Sequence, residues 1–328
     1  MSRRRFLGGA AALGTSAMLP GCEAGGREVL RWGSSSLGSS GYVIMEALAQ
    51  SVNARSPLRN SSLATLGAAE NLALIASGDI EFGHTTSVEM VIAQAGQRPY
   101  RRPIDFQQMF AYATWHMPPL VRGDGPVRTL ADLPGRRYAP STHGSGAAIL
   151  HHALMRAAGI DDRLRWTYGS WTDAYDAFKT GRLDVVVGVL TNGRLSTNIM
   201  EAQAVTAVRP LEIPADVLGR ARQENGGIFA AAIDPAAWPG LEGPVLAPLT
   251  VGILAVSPRV TAEQGYEVTR AIFDHADEVR RLGLLLDKVE PEFAVRNMMA
   301  QFPVHAGAAR YFRERGLWDA RLRAAQAG

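Results

Sequence analysis

One cysteine stands in 328 residues, so no disulfide can close within the chain. The seven histidines, at 84, 116, 143, 151, 152, 275 and 305, form no H-x-x-x-H or H-E-x-x-H pair, so a metal would need unrelated loops to converge. No G-x-S-x-G elbow surrounds Ser145, whose neighbours are Gly144 and Gly146. Residues 33–40 spell G-x-x-x-x-G-S-S, a phosphate loop without its lysine. Internal repeats of roughly 20 to 50 residues are missing as well. These absences leave no catalytic residue, no metal ligand set and no cofactor to assign.

Net charge is also missing once the first residues are set aside. The whole chain has 34 Lys+Arg against 31 Asp+Glu and a pI near 9.2. Residues 1–21 hold Arg3, Arg4 and Arg5 and no acid, so the remainder has 31 basic against 31 acidic side chains. A neutral body argues against nucleic acid as a partner, because phosphate binding draws on net or clustered positive charge. The composition, 47% hydrophobic and 20% charged, is that of a folded globular protein. At 328 residues the chain exceeds the size at which a single core keeps growing, so two lobes are expected.

What is there begins with "SRRRFLGGAAALGTSAMLPGC", residues 2–22. A positive start, about a dozen small apolar residues and a small-residue end predict an export signal over 1–21, too short for a span that needs about 20 apolar residues. Ser2-Arg3-Arg4-Arg5-Phe6-Leu7 fits the twin-arginine pattern, an address read by a receptor. Leu19-Pro20-Gly21-Cys22 resembles a bacterial lipobox, with Pro20 a departure from its usual small residue. Cys22 is therefore the expected lipidation site, with a free thiol in a simply cleaved leader as the alternative. Nothing nearby, neither His nor Lys, would activate that thiol for catalysis. The expected location is periplasmic, or otherwise extracytoplasmic, with membrane contact through a lipid on Cys22.

Along the rest of the chain a short strand, a small-residue loop and a helix recur. Strands are predicted over 29–32, 62–66, 80–83, 137–139, 164–168, 185–190 and 250–256. Helices are predicted over 43–54, 69–77, 147–158, 171–180 and 263–280, with Gly78, Gly159 and Gly181 as stops. The alternation implies an α/β fold with helices wound on parallel strands. The pattern divides into 27–120 for the first part of lobe 1, 121–240 for lobe 2, and 241–328 for the return to lobe 1 and the C-terminal helices. A cleft is expected between the lobes.

Four loops, "GSSSLGSSGY", "HTTS", "STHGSG" and "TNGR", each follow a predicted strand. In open α/β sheets ligands bind beyond the carboxyl ends of the strands. Small residues there let backbone N–H groups approach a ligand, hydroxyls add donors, and helix N-termini add partial positive charge. A carboxylate fits such a lining. The same residues also serve as ordinary N-caps and tight turns.

The loops and helices around them resemble the solute-binding subunits of tripartite ATP-independent periplasmic (TRAP) transporters, of the TAXI type. The resemblance runs from about Arg27 to Gly316 and rests on five blocks: "LGSSGYVIMEALAQ" at 37–50, "AENLALIASGDIEFG" at 69–83, "TLADLPGRRYAPSTHGSG" at 129–146, "YGSWTDAYDAFKTGRLDVVVG" at 168–188 and "HAGAARYF" at 305–312. It implies a class II periplasmic-binding-protein-like fold, two α/β lobes with a ligand cleft between them. It further implies capture of a small solute, a carboxylate or an amino acid, by lobe closure, and delivery to an ion-gradient-driven permease.

On that footing the expected ligand-binding residues are Ser39, Ser40, Tyr42, Thr86, Ser87, His143, Ser145, Trp171, Asn192 and Arg194. Arg194 would clamp a carboxylate if it faces the cleft and is a solvent-facing arginine otherwise. Trp115 and His116 would wall the pocket or pack between the lobes. Departures from the family count: Thr86, Ser87 and Val88 stand where relatives often carry Gln-Ser-Asp, Ala147 replaces a threonine, and Val43 a proline. Glutamate specificity is therefore not carried over. Two other readings stay open: a receptor for an ABC importer or a sensor with the same fold, and an exported enzyme using His143 or His84 with the serine-rich loops.

Overall fold

The structure is a computed structural model that describes residues 29–326. The expected signal over 1–21 and Cys22 lie outside the described residues. From its N-terminal end the chain runs β1 (Val29–Gly33), α1 (Ser40–Arg55), β2 (Arg59–Leu63), α2 (Ala68–Ser77), β3 (Phe82–Thr86), α3 (Ser87–Gln94), β4 (Gln107–His116) and β5 (Pro119–Arg122). It continues with β6 (Arg137–Ala139), α4 (Gly146–Ala157), β7 (Arg165–Trp166), α5 (Trp171–Lys179), β8 (Val185–Val187), β9 (Leu190–Thr191) and β10 (Arg194–Leu195). Then come α6 (Thr197–Val205), β11 (Val208–Pro210), α7 (Ala215–Glu224), β12 (Phe229–Ile233), β13 (Val245–Val256), α8 (Ala262–Phe273), α9 (Ala276–Arg281), α10 (Pro291–Arg296) and α11 (Ala306–Glu314).

Two sheets organise these elements. The first has eight strands in the order β10-β9-β4-β13-β3-β1-β2, with β12 also paired to β13. The second has five, in the order β11-β5-β8-β6-β7. The βα units keep their strands parallel, β1 with β2 and β3, and β6 with β7 and β8. β13 runs antiparallel between β3 and β4, and its twelve residues are apolar enough to be buried on both faces of the sheet. Separate apolar clusters form on the two sheets, one around Trp32, Phe110 and Phe312, another around Tyr138, Leu150 and Leu218. The molecule is thus a mixed α/β protein of two lobes.

The chain passes between the sheets more often than the sequence suggests. β9, β10 and β12 fall within 121–240, the span expected for lobe 2, yet all three pair into the first sheet. The helix predicted over 263–280 breaks at Asp274 and His275, giving α8 and α9. Asp274 accepts the Tyr311 hydroxyl at 2.8 Å and pairs with Arg315, so contacts from α11 override the local periodicity there.

Local signals place the helix ends. Gly78, with φ 86°, closes α2 and returns its N–H to Leu74 and Ile75 carbonyls. Ser39 caps α1, Ser145 caps α4 and Ser170 caps α5, each hydroxyl accepting from the N–H three residues on. Two of these capped ends belong to different lobes, α1 packing on the first sheet and α4 on the second.

Candidate functional site

A row of polar groups, linked in part by ring packing and by the backbone of β3, runs from the N-terminus of α1 to that of α4. It starts at Ser40, whose Oγ accepts the Trp115 indole N–H at 3.0 Å. Trp115 lies edge-on to His84, with ring centroids 5.5 Å apart. His84 pairs through Nδ1 with the Tyr112 hydroxyl. Its Nε2 approaches α1 so closely that a Cβ at Gly41 would lie 3.2 Å away. Burial lowers the His84 pKa to about 4, so the ring is neutral at ordinary pH.

Two residues on, the strand ends at Thr86 and α3 begins. The first turn of α3 is buried, and Val88 and Glu89 in it reach lobe 2. Ser87 and Val88 are fully buried and Glu89 is only 3% exposed. Ser87 Oγ donates to the Gly227 carbonyl at 2.6 Å and accepts from the Val251 N–H at 3.1 Å. Val88 packs in the core of the second sheet, a burial that contributes about 1.5–2 kcal/mol. Its carbonyl accepts from Asn225 Nδ2 at 3.2 Å. Glu89 turns to Gly146, the first residue of α4, and a Cβ at Gly146 would collide with its carboxylate.

Three donors surround that carboxylate: the Thr86 hydroxyl, the Glu89 N–H and the Gly146 N–H. They favour the ionised form, and burial opposes it more strongly, so the Glu89 pKa is raised. Glu89 was not singled out from sequence. Its signal was there: Thr86 and Glu89 have the T-x-x-E spacing of a capping box. The geometry differs from that motif, because Thr86 gives its hydroxyl to the acid and accepts no cap bond itself.

The expected ligand residues divide into three groups. Ser39, Ser40 and Tyr42 lie half-buried at the start of α1, and Ser145 half-buried at the start of α4. Thr86 and Ser87 lie between them with their hydroxyls already engaged. His143 is exposed, with its ring 4.9 Å from that of Tyr168, and Trp171 packs between two apolar clusters of lobe 2.

Asn192 and Arg194 stand on a hairpin beside the Trp115 end of the row, with their side chains engaged by Asp287. "TNGR" is the turn of the β9–β10 hairpin on the first sheet, with Asn192 and Gly193 at φ 53° and 80°, and it does not lead into a helix at that point. Asn192 binds the Thr114 N–H at 2.9 Å, the Leu285 carbonyl at 3.1 Å and Asp287 at 2.8 Å. Arg194 is 47% exposed and pairs with Asp287 at 3.3 Å. His116, where β4 leaves the first sheet, has neither ring nitrogen hydrogen-bonded, and burial lowers its pKa.

Neither His84 nor His143 hydrogen-bonds a serine hydroxyl among the described residues. Among those residues there is also no cluster of three or more His, Cys, Asp or Glu able to hold a metal, and no helix long and apolar enough to cross a membrane.

Residues 33–316 match the NMT1-like family, most of the chain's length. The chain belongs to the NMT1-like family. No curated protein sequence matches it. Its fold is similar to that of a protein described as a periplasmic transporter, at TM-score 0.51 and 15% identity over 77% of this chain and 85% of that one. It is also similar to XAC2383 from Xanthomonas citri bound to chloride ion, at TM-score 0.50 and 14% identity over 87% and 95%. The periplasmic aliphatic sulphonate binding protein SsuA from Escherichia coli aligns at TM-score 0.47 and 18% identity over 90% and 95%. The mixed α/β, two-lobe architecture of this NMT1-like chain is thus periplasmic-binding-protein-like.

Proposed function

We propose that this chain is an extracytoplasmic solute receptor that holds a small molecule between its lobes and hands it to a membrane transporter. The observation that carries the reading is the polar row linking two serine-capped helix ends, one on each lobe, across the seam. A solute touching both ends has its hydrogen bonds satisfied only when the lobes are together, so binding favours the closed arrangement. The α1 end supplies Ser39, Ser40 and Tyr42, and the α4 end supplies Ser145 and His143. No covalent step is needed, and the chain is read as a binder without turnover.

Within this reading a carboxylate on the solute belongs at the α1 end, where the helix N-terminus supplies partial positive charge. The five sequence blocks favour a TRAP permease as the partner, and an exported, lipid-anchored chain suits delivery at the outer face of the membrane. Thermal denaturation of the purified protein against carboxylates, amino acids, amines and sulfonates tests the core of the proposal. A saturable rise in Tm with one class is expected, because a ligand bound only by the folded form stabilises it. No saturable rise with any class, or turnover of any compound, would remove the receptor reading. Uptake by vesicles carrying the permease separates the partners: dependence on an ion gradient supports TRAP, and dependence on ATP supports an ABC importer.

A further inference from the structure

Among the described residues the seam holds one buried acid, Glu89. Glu89 belongs to α3 on the first sheet, while the carboxylate it carries sits against the first residue of α4 on the second. It is more than nine-tenths buried. What acts on it is burial, the Thr86 hydroxyl, its own N–H and the Gly146 N–H, and no Arg or Lys is among these. The titratable groups that feel its charge are Tyr100 and Tyr112, both held neutral by burial, and Tyr112 leads on to the neutral His84. A carboxylate this deep is costly unless donors are aimed at it. The donors here are of the kind a helix N-terminus offers to an anion.

We propose that Glu89 is a built-in occupant of the anion position at the N-terminus of α4, which bars a solute carboxylate from that end of the seam. An incoming carboxylate would find the Gly146 and Ala148 N–H groups taken, by Glu89 and Ser145, and a second acid beside it. The solute therefore meets α4 with a neutral or donor group, and any carboxylate it carries points to α1. The statement about the solute rests on the receptor reading; the statement about Glu89 does not.

Chemical rescue with formate tests it. Glu89→Ala empties the position, so the variant should melt lower than the parent protein. Formate should then raise its Tm saturably, beyond chloride at the same ionic strength and beyond formamide, the neutral analogue. The parent protein should show no such response. Adding Gly146→Ala to Glu89→Ala should abolish the rescue, since the methyl group takes the space of the ion. If Glu89→Ala is unfolded in chloride, formate should restore its circular dichroism spectrum.

Equal rescue by formamide would show that volume alone was replaced and would overturn the proposal. So would no rescue, rescue that survives Gly146→Ala, or a variant as unfolded in formate as in chloride. The readout involves the chain and formate alone, so a failed solute screen leaves it intact, and its own failure leaves the receptor reading standing.

Discussion

Ser39 on α1 and Ser145 on α4 cap their helices in the same way, each hydroxyl accepting from the N–H three residues on at 3.2 Å. What meets the next turn differs. At α1 the neighbours are neutral: the His84 ring beside Gly41, and the Trp115 indole on Ser40. At α4 the neighbour is an acid from the other lobe, pressed against Gly146. Two ends with the same small-residue lettering thus have different electrostatic partners. A serine- and glycine-rich loop announces that N–H groups are available; it does not say whether the protein has already used them.

The sharpest way to break this contrast is to add side chains at the two glycines. Gly146→Val drives a branched side chain into the Glu89 carboxylate, and relief means pulling the acid from its donors or parting the lobes. A loss of about 3 kcal/mol or more is expected, combining overpacking with a stranded buried acid. Gly41→Ala brings its Cβ only to 3.2 Å from His84 Nε2, a ring with no charge to strand, and should cost about 1 kcal/mol. Urea denaturation of both variants measures the difference. Equal losses would mean that the two ends are packed alike and that the acid makes no distinction between them.

Acid should expose the neutral end next. The folded-state pKa of His84 is lowered from 6.5 to about 4 by burial. A base lowered in this way contributes stability above pH 6.5 that is lost as pH falls toward 4, because the unfolded chain takes up the proton first. The loss from this residue comes to roughly 3 kcal/mol across that window. His84→Asn keeps a group able to meet Tyr112 and does not titrate, so its stability should fall less between pH 6.5 and 4 than that of the parent protein. Parallel curves for the two proteins would show that His84 is not held neutral by its site.

Why these two ends read alike from sequence is a matter of range. Helix stops at Gly78, Gly159 and Gly181 were legible because a positive φ is decided by the residue itself, and all three have one. The alternation of strands and helices was legible for the same local reason, and it gave the two-lobe α/β fold. β9 and β10 were hard to assign to a sheet, since each has two residues and β4, the partner of β9, lies far back along the chain. The Asn192-Gly193 pair is a local hairpin signal, but strands of two residues on either side leave little pattern to set it apart from any loop after a strand. Glu89 shows the limit most clearly: the T-x-x-E spacing was visible, but the destination of the carboxylate depends on a glycine in the other lobe.

Removing the caps compares the ends with less force. Ser39→Ala and Ser145→Ala each delete one side-chain acceptor from a helix end, worth about 1 kcal/mol. At α4 the Glu89 carboxylate remains to face the orphan N–H groups, so Ser145→Ala should cost less than Ser39→Ala. Combining Ser145→Ala with Glu89→Ala should cost more than the two single losses added together, because each acceptor covers for the other. Thermal unfolding of the parent and the four variants (the three single changes and the double) measures this, and strict additivity would show that serine and acid do not share the same donors.

The smallest effect belongs to Arg194, a carboxylate clamp only if it faces the cleft. Arg194 has the fork geometry to clamp a carboxylate, but its guanidinium meets Asp287 at 3.3 Å, half in solvent. Exposed pairs of this kind contribute between zero and about 1 kcal/mol. Arg194→Ala should therefore shift stability by less than about 0.5 kcal/mol and leave solute affinity unchanged. Neighbouring Asn192 makes the contrast, since its three hydrogen bonds tie the hairpin to Thr114, Leu285 and Asp287. Calorimetric titration of Arg194→Ala with whichever compound raises the Tm of the parent protein decides the point. A large loss of affinity would move the anion-binding end of the seam from α1 to the β9–β10 hairpin, and with it the partner that Glu89 leaves for a solute carboxylate.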